Sequence, residues 1–135
     1  MSLVLVDGGE SIALQYLVNK IAASQDVKLK LYTNNITPGE TDVVGAYTEA
    51  SGFGYLAGGI TLTGANWTIS GTAPTQAAYA QQVFTFTGAL GNVYGYFIVR
   101  ANGGELLWAE KFTDGPYNIV NNGDQIKVTP QITMD

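Results

Sequence analysis

Along most of this chain apolar and polar residues alternate with a period of two, and in one stretch only does the period lengthen to that of a helix. That stretch is residues 10–24, where Leu14, Leu17, Val18 and Ile21 recur at helical spacing with Ala13 and Ala22 alongside. Asp7 is placed to cap its start, with Glu10 three residues on as in a capping box. Lys20 falls in its last turns, where a cation suits the helix dipole. From residue 27 the pattern is strand and turn. Val27, Leu29 and Leu31 take one side of a clean alternation, and Lys28, Lys30 and Tyr32 take the other. Further strands are expected at 60–63, 67–70, 82–87, 93–99, 105–112, 125–129 and 131–133, with a shorter one at 46–49. Residues 71–80 are small, polar and loop-like. Asn102-Gly103-Gly104 is a tight-turn signal and predicts a hairpin between 93–99 and 105–112. Pro130 predicts an edge or irregular strand at the end.

Roughly eight short strands, with turn signals about every 8–12 residues, are the pattern of a sandwich. The fold class that follows is mainly β: an antiparallel β-sandwich, jelly-roll-like, with one N-terminal α-helix. A chain of 135 residues is a normal size for a single domain with one core. Residues 1–135 are read as that domain, with an N-terminal segment carrying the helix over 1–26 and the β-sandwich over 27–135.

Composition narrows the function more than the fold. Charged residues are only 13%, about half the usual share, so the surface is either polar and uncharged or covered by partners. A net charge of −5, with six scattered basic residues, opposes nonspecific nucleic-acid binding. The opening residues 1–7 are too short, and lack the basic region, for a signal peptide. No apolar run approaches the roughly 20 residues of a membrane helix. The expectation is a protein made in the cytoplasm that binds neither nucleic acid nor membrane.

Histidine and cysteine are both absent, which removes Ser-His-Asp and Cys-His catalysis, His- and Cys-based metal sites, and disulfides. Paired carboxylates remain possible, as in glycosidases, with Glu49, Glu105, Glu110 and Asp114 as candidates by residue type. Glu110 shares a strand face with Trp108, and an aromatic beside a carboxylate could bind sugar, yet pairing with a lysine or capping a turn is the stronger reading. Glu40-Thr41-Asp42, and Asp114 with Asp124, are oxygen-rich, but they lack the spacing of a calcium loop and read as turn chemistry. Gly52, Gly54, Gly58 and Gly59 read as sheet bends, since no Lys-Ser/Thr follows and no strand-to-helix step surrounds them. No catalytic, cofactor-binding or metal-binding residue is assigned, and no enzyme activity is expected.

The tyrosines point elsewhere. Tyr94 and Tyr96 lie on one face of strand 93–99, opposite Val93, Phe97 and Val99. Apolar residues on both faces imply burial on both sides, or one face against the core and one against a partner. Tyr94, Tyr96, Trp108 and Tyr117 are the candidate packing or interface residues.

Several phrases carry a likeness: residues 29–42, 46–55, Leu-Thr-Gly-Ala-Asn-Trp-Thr-Ile-Ser over 62–70, Val-Tyr-Gly-Tyr-Phe over 93–97, and the closing stretch 106–133 with its turns at Asp114-Gly115-Pro116 and Asn121-Asn122-Gly123-Asp124. Together they resemble small structural proteins of tailed bacteriophages, including cyanophages, that decorate or cement the capsid. The resemblance implies a β-rich homo-oligomer, often a trimer, seated on the virion surface where major capsid protein subunits meet, with no catalytic residues. A head role is thereby not distinguished from a receptor- or carbohydrate-binding module of a tail or fibre, for which Trp67, Trp108 or the tyrosines would be stacking platforms. Burial of the tryptophans favours a scaffold; an open aromatic cleft favours sugar binding. The helix-first order also implies a terminal segment that docks on a neighbour, so that removing residues 1–24 would abolish capsid binding while sparing the β fold.

Overall fold

The computed structural model describes residues 3–23 and 25–134. The fold is mainly β, with one α-helix and several antiparallel sheets among the described residues. The helix, α1, spans Asp7–Leu17. The strands are β1 (Val4–Leu5), β2 (Val27–Tyr32), β3 (Ile60–Leu62), β4 (Thr68–Ser70), β5 (Thr75–Ala78), β6 (Gln82–Thr85), β7 (Gly91–Val93), β8 (Gly95–Arg100), β9 (Leu106–Lys111), β10 (Tyr117–Ile119), β11 (Gln125–Val128) and β12 (Gln131–Met134).

The strand count exceeds the expected eight for a common reason. β5 is the Thr-Gln-Ala-Ala stretch of the expected loop; it has no apolar alternation and is a strand because β4 and β12 pair on its two sides. β10 is a strand because β7 pairs with it. β1 pairs with β9. Each owes its form to a distant partner, which local pattern cannot show. The expected strand over 93–99 is broken at Tyr94, whose N–H donates to the Tyr32 carbonyl and whose carbonyl accepts from Phe112 N–H. Where a strand was expected at 46–49 there is a 3-10 turn at Val44–Ala46, followed by one bridge from Glu49 to Tyr32.

The largest sheet has the order β1-β9-β8-β2-β3. β8 and β9 pair as the hairpin the Asn102-Gly103-Gly104 signal predicts, and β8 is also in register with β2 from Val27↔Arg100 to Tyr32↔Gly95. The remaining strands form the three-stranded sheet β12-β5-β4 and two ladders, β10-β7 and β11-β6. β12 is an edge strand, as Pro130 predicts.

Both faces of β8 are buried within the chain. Tyr96 and Ile98 join one cluster, and Phe97 and Val99 join the other. In the first, Leu29 and Leu31 of β2 meet Phe84, Val93, Ile119 and Ile126 from the two ladders. In the second, Tyr32, Tyr47 and Phe97 bring their rings together, with centroids 5.0 Å apart for Tyr32–Tyr47 and 5.3 Å for Tyr47–Phe97. The register slips between Ile98, which faces Trp108, and Val99, which faces Leu106. Leu107 is the extra residue, and this bulge turns the adjacent Leu107 and Trp108 into the same cluster.

Gly95 lies where strands and a ring crowd together: a Cβ there would overlap the Glu110 carbonyl and the Tyr32 hydroxyl. Gly95→Ala is therefore expected to lower stability by about 1–3 kcal/mol, read as a reduced urea midpoint. An unchanged midpoint would show that β8 and β9 can spread apart at no cost.

The helix differs from its sequence reading in limits and in orientation. It begins at Asp7 and not at Glu10, its N-cap is Val6, and no side chain makes a capping hydrogen bond. Asp7 and Glu10 instead occupy its first turn, where their charges suit the dipole. It stops at Leu17 because Asn19 adopts a left-handed conformation (φ 55°), the usual device after a helix C-terminus. Lys20 thus falls beyond it, its amide donating to the Gln15 carbonyl. The buried face of α1 is Gly9 and Ile12. Gly9 permits this, since a Cβ there would overlap the Leu107 carbonyl of β9.

Candidate functional site

The carboxylates flagged by residue type are held by backbone amides, basic side chains or tyrosine hydroxyls. Glu49 lies 3.1 Å from Lys30 Nζ, and its other oxygen accepts from the Tyr55 hydroxyl and from Gly58 N–H, both at 3.0 Å. The Tyr55 oxygen in turn accepts from Leu31 N–H of β2. Glu105 pairs with Arg100 at 3.4 Å across the β8–β9 turn. Glu110 stands opposite Tyr96 in the β8–β9 register. Asp42 accepts from Gly39 N–H and the Tyr47 hydroxyl, which closes the 39–47 segment over the second cluster. Asp124 accepts from Val120 and Asn121 N–H, and those two donors hold its carboxyl below the ordinary carboxylate range. Asp114 accepts from the Tyr117 hydroxyl. These are turn and register devices. Among the described residues, no group of three or more acidic side chains is placed to hold a metal ion.

The four aromatic candidates separate in space. Tyr96 and Trp108 are 3% and 7% exposed and fill the first cluster, so both serve packing inside this chain. Tyr94 packs against the second cluster with Lys111 over its ring, 5.9 Å from the centroid, so the break at Tyr94 sets it apart from Tyr96. Tyr117 is half-buried, its ring 4.6 Å from that of Phe112, which in turn lies 6.4 Å from Tyr96. Its bond to Asp114, more than its burial, pushes its pKa up to about 12. Trp67, half-buried, meets Trp108 and Tyr79 edge-on instead of presenting an open stacking face. Trp108, with its small exposed part, borders a small apolar groove together with Tyr16, Ile12 and Leu107.

Sequence reasoning expects the N-terminal segment to dock on a neighbour but misses that the apolar stripe of its helix is the outer side of α1. Leu14, Leu17 and Val18, the stripe that marks this segment as a helix, are 62%, 81% and 70% exposed. Met134 at the end of β12 is 68% exposed and shares a shallow groove with Leu5, Ala13 and Leu14. On the other flank, Glu10 and Ser11 line a second groove with Leu14 and Val18. Periodicity locates an apolar stripe but not its direction; the signal present in the sequence is Gly8-Gly9, whose lack of side chains lets the opposite side of the helix approach a strand. A second exposed apolar site lies on the loop after Ala50, where Phe53 (φ 52°) and Leu56 project.

No helix among the described residues is long and apolar enough to cross a membrane. No protein-family model matches the chain, and no curated protein matches it significantly.

Proposed function

We propose that this chain is a bacteriophage virion structural protein of the capsid decoration type, which binds the major capsid protein shell and stabilises the head. The observation that carries the reading is that large apolar side chains project from two different elements, α1 and the loop bearing Phe53 and Leu56, in a chain with only 13% charged residues. A protein that cements a shell needs separate contacts, one to the shell and one to a neighbouring copy. Large apolar patches on a soluble surface mark such contacts. The proposed mechanism is mechanical: interface buried across capsomer junctions resists the pressure of packaged DNA. Homo-oligomerisation and the location on the virion surface belong to the same proposal.

The architecture within this proposal is an antiparallel sandwich of jelly-roll type. Its support is the first cluster, which gathers side chains from the five-stranded sheet and from the two ladders. The burial of Trp108 and the edge-on seating of Trp67 weigh for a scaffold and against a carbohydrate-binding module of a tail or fibre. Reconstruction of the intact virion tests the function directly. The expected result is density for this fold at junctions of the capsid shell; density on the tail alone would overturn the head role.

A further inference from the structure

We propose that the outer face of α1 is a self-association surface on which a second copy of this chain docks about a two-fold axis, antiparallel helix on helix. The outward stripe reads from its N-terminal end as Asp7, Glu10, Leu14, Leu17 and Val18, a seam at three- and four-residue spacing. Acid therefore lies at one end and apolar residues lie in the middle. The cation Lys20 follows just past the other end, its backbone N–H donating to the Gln15 carbonyl.

This charge order selects the geometry. If Leu14 of one copy meets Leu17 of the other, Glu10 stands about 6 Å before the contact, at roughly 1.5 Å rise per residue, and Lys20 follows it past the end of the helix. Antiparallel pairing then sets the acidic end of each helix, with Glu10, against the other copy's C-terminal end, which Lys20 follows, twice over, as an isologous interface requires. A parallel three-helix arrangement would gather three Asp7 and three Glu10 side chains at one end. For this surface two-fold pairing is favoured over the threefold form implied by resemblance.

Size agrees with the geometry. Leu14, Leu17, Val18 and Met134 together expose roughly 500 Å², the scale at which an apolar patch on a monomer is commonly functional. Fully covered by its own copy the patch contributes about twice that, which reaches the roughly 1,000 Å² that a specific interface should clear.

The test uses the isolated full-length chain and does not depend on the virion reading. Analytical ultracentrifugation should show a concentration-dependent dimer. Leu17→Glu, at a position 81% exposed, should weaken it at least tenfold while circular dichroism stays native. Glu10→Lys and Lys20→Glu should each weaken it by roughly two- to tenfold, and the double exchange E10K/K20E should restore it. A monomer at every concentration, a trimer, or a dimer indifferent to Leu17→Glu would each overturn the proposal. Loss of dimer without rescue by the double exchange would overturn the antiparallel register.

Discussion

Deletion of residues 1–24 is expected to unfold the protein, not to leave an intact β region that merely fails to bind. The N-terminal segment is woven into both hydrophobic clusters. β1 pairs with β9, Val6 is fully buried in the second cluster, and Ile12 is buried in the first. Asp7 N–H donates to the Glu40 carbonyl, and Val6 N–H donates to that of Leu107. Burying a Val or Ile side chain contributes about 1.5–3 kcal/mol, so Val6 and Ile12 alone supply roughly 3–6 kcal/mol. Their loss also uncovers Leu106 and Leu107, which are nearly buried at 4% and 7%. Against a total stability of about 5–15 kcal/mol, that is a large share of the margin. Circular dichroism and a urea titration of the truncated chain check this. A cooperative transition at the full-length midpoint would show that the segment is an appendage after all. For the same reason, binding by α1 is properly tested with surface substitutions such as Leu17→Glu and not by truncation.

Alkaline pH is expected to unfold the protein in a steep step beginning above pH 10, with tyrosine ionisation delayed to the same step. Tyr32, Tyr47, Tyr55 and Tyr96 are buried, and each has its pKa raised well above the ordinary tyrosine value. Burial is the largest cause in every case. Carboxylates add to it: Asp42 beside Tyr32 and Tyr47, Glu49 beside Tyr55, and Glu110 beside Tyr96. At Tyr55 the Leu31 N–H works in the opposite direction, since it would stabilise the phenolate.

The sign follows from which state releases protons. Below pH 10 both states are protonated and the contribution of these tyrosines is fully present. Above it, the unfolded chain ionises while the folded chain cannot, and stability falls as pH rises toward the folded values. Each such tyrosine removes up to about 1.4 kcal/mol per pH unit. Four acting together would exhaust a typical stability within about one to three units. Absorbance at the phenolate band should show the signal of these four buried tyrosines appearing only with loss of the native circular dichroism signal. Smooth titration of all eight tyrosines near pH 10, with the fold intact, would contradict the packing described for both clusters.

Much of this was legible in the chain because the signals are local. The alternation over 27–32, the glycine turn at 102–104 and the helical spacing of Leu14, Leu17 and Val18 each identify an element from its own residues. The turn roles of Asp114 and Asp124 were legible for the same reason, since short acidic side chains in Gly- and Asn-rich stretches bond nearby backbone or hydroxyl groups. Glu49 was not: its partners, Lys30, Tyr55 and Gly58, are brought together only when β2 and the loop after Ala50 meet. The split between Tyr94 and Tyr96 was illegible too, because a period of two assumes an unbroken strand, and the break comes from bonds to Tyr32 and Phe112 in other elements.

By itself, the sequence determined the class of the fold, the place of the helix and the absence of histidine and cysteine chemistry, since composition and periodicity are properties of the chain alone. Only the tertiary structure decided which side of each element meets the core. It turned Gly9 and Ile12 inward and Leu14, Leu17 and Val18 outward, and a single bulge at Leu107 put Leu107 and Trp108 in the same cluster. The physical reason is that burial belongs to pairs of surfaces. A stripe of apolar side chains fixes that something should cover it, but where the close approach is made by a glycine backbone the chain's own core can form on the other side. The stripe is then left for a partner.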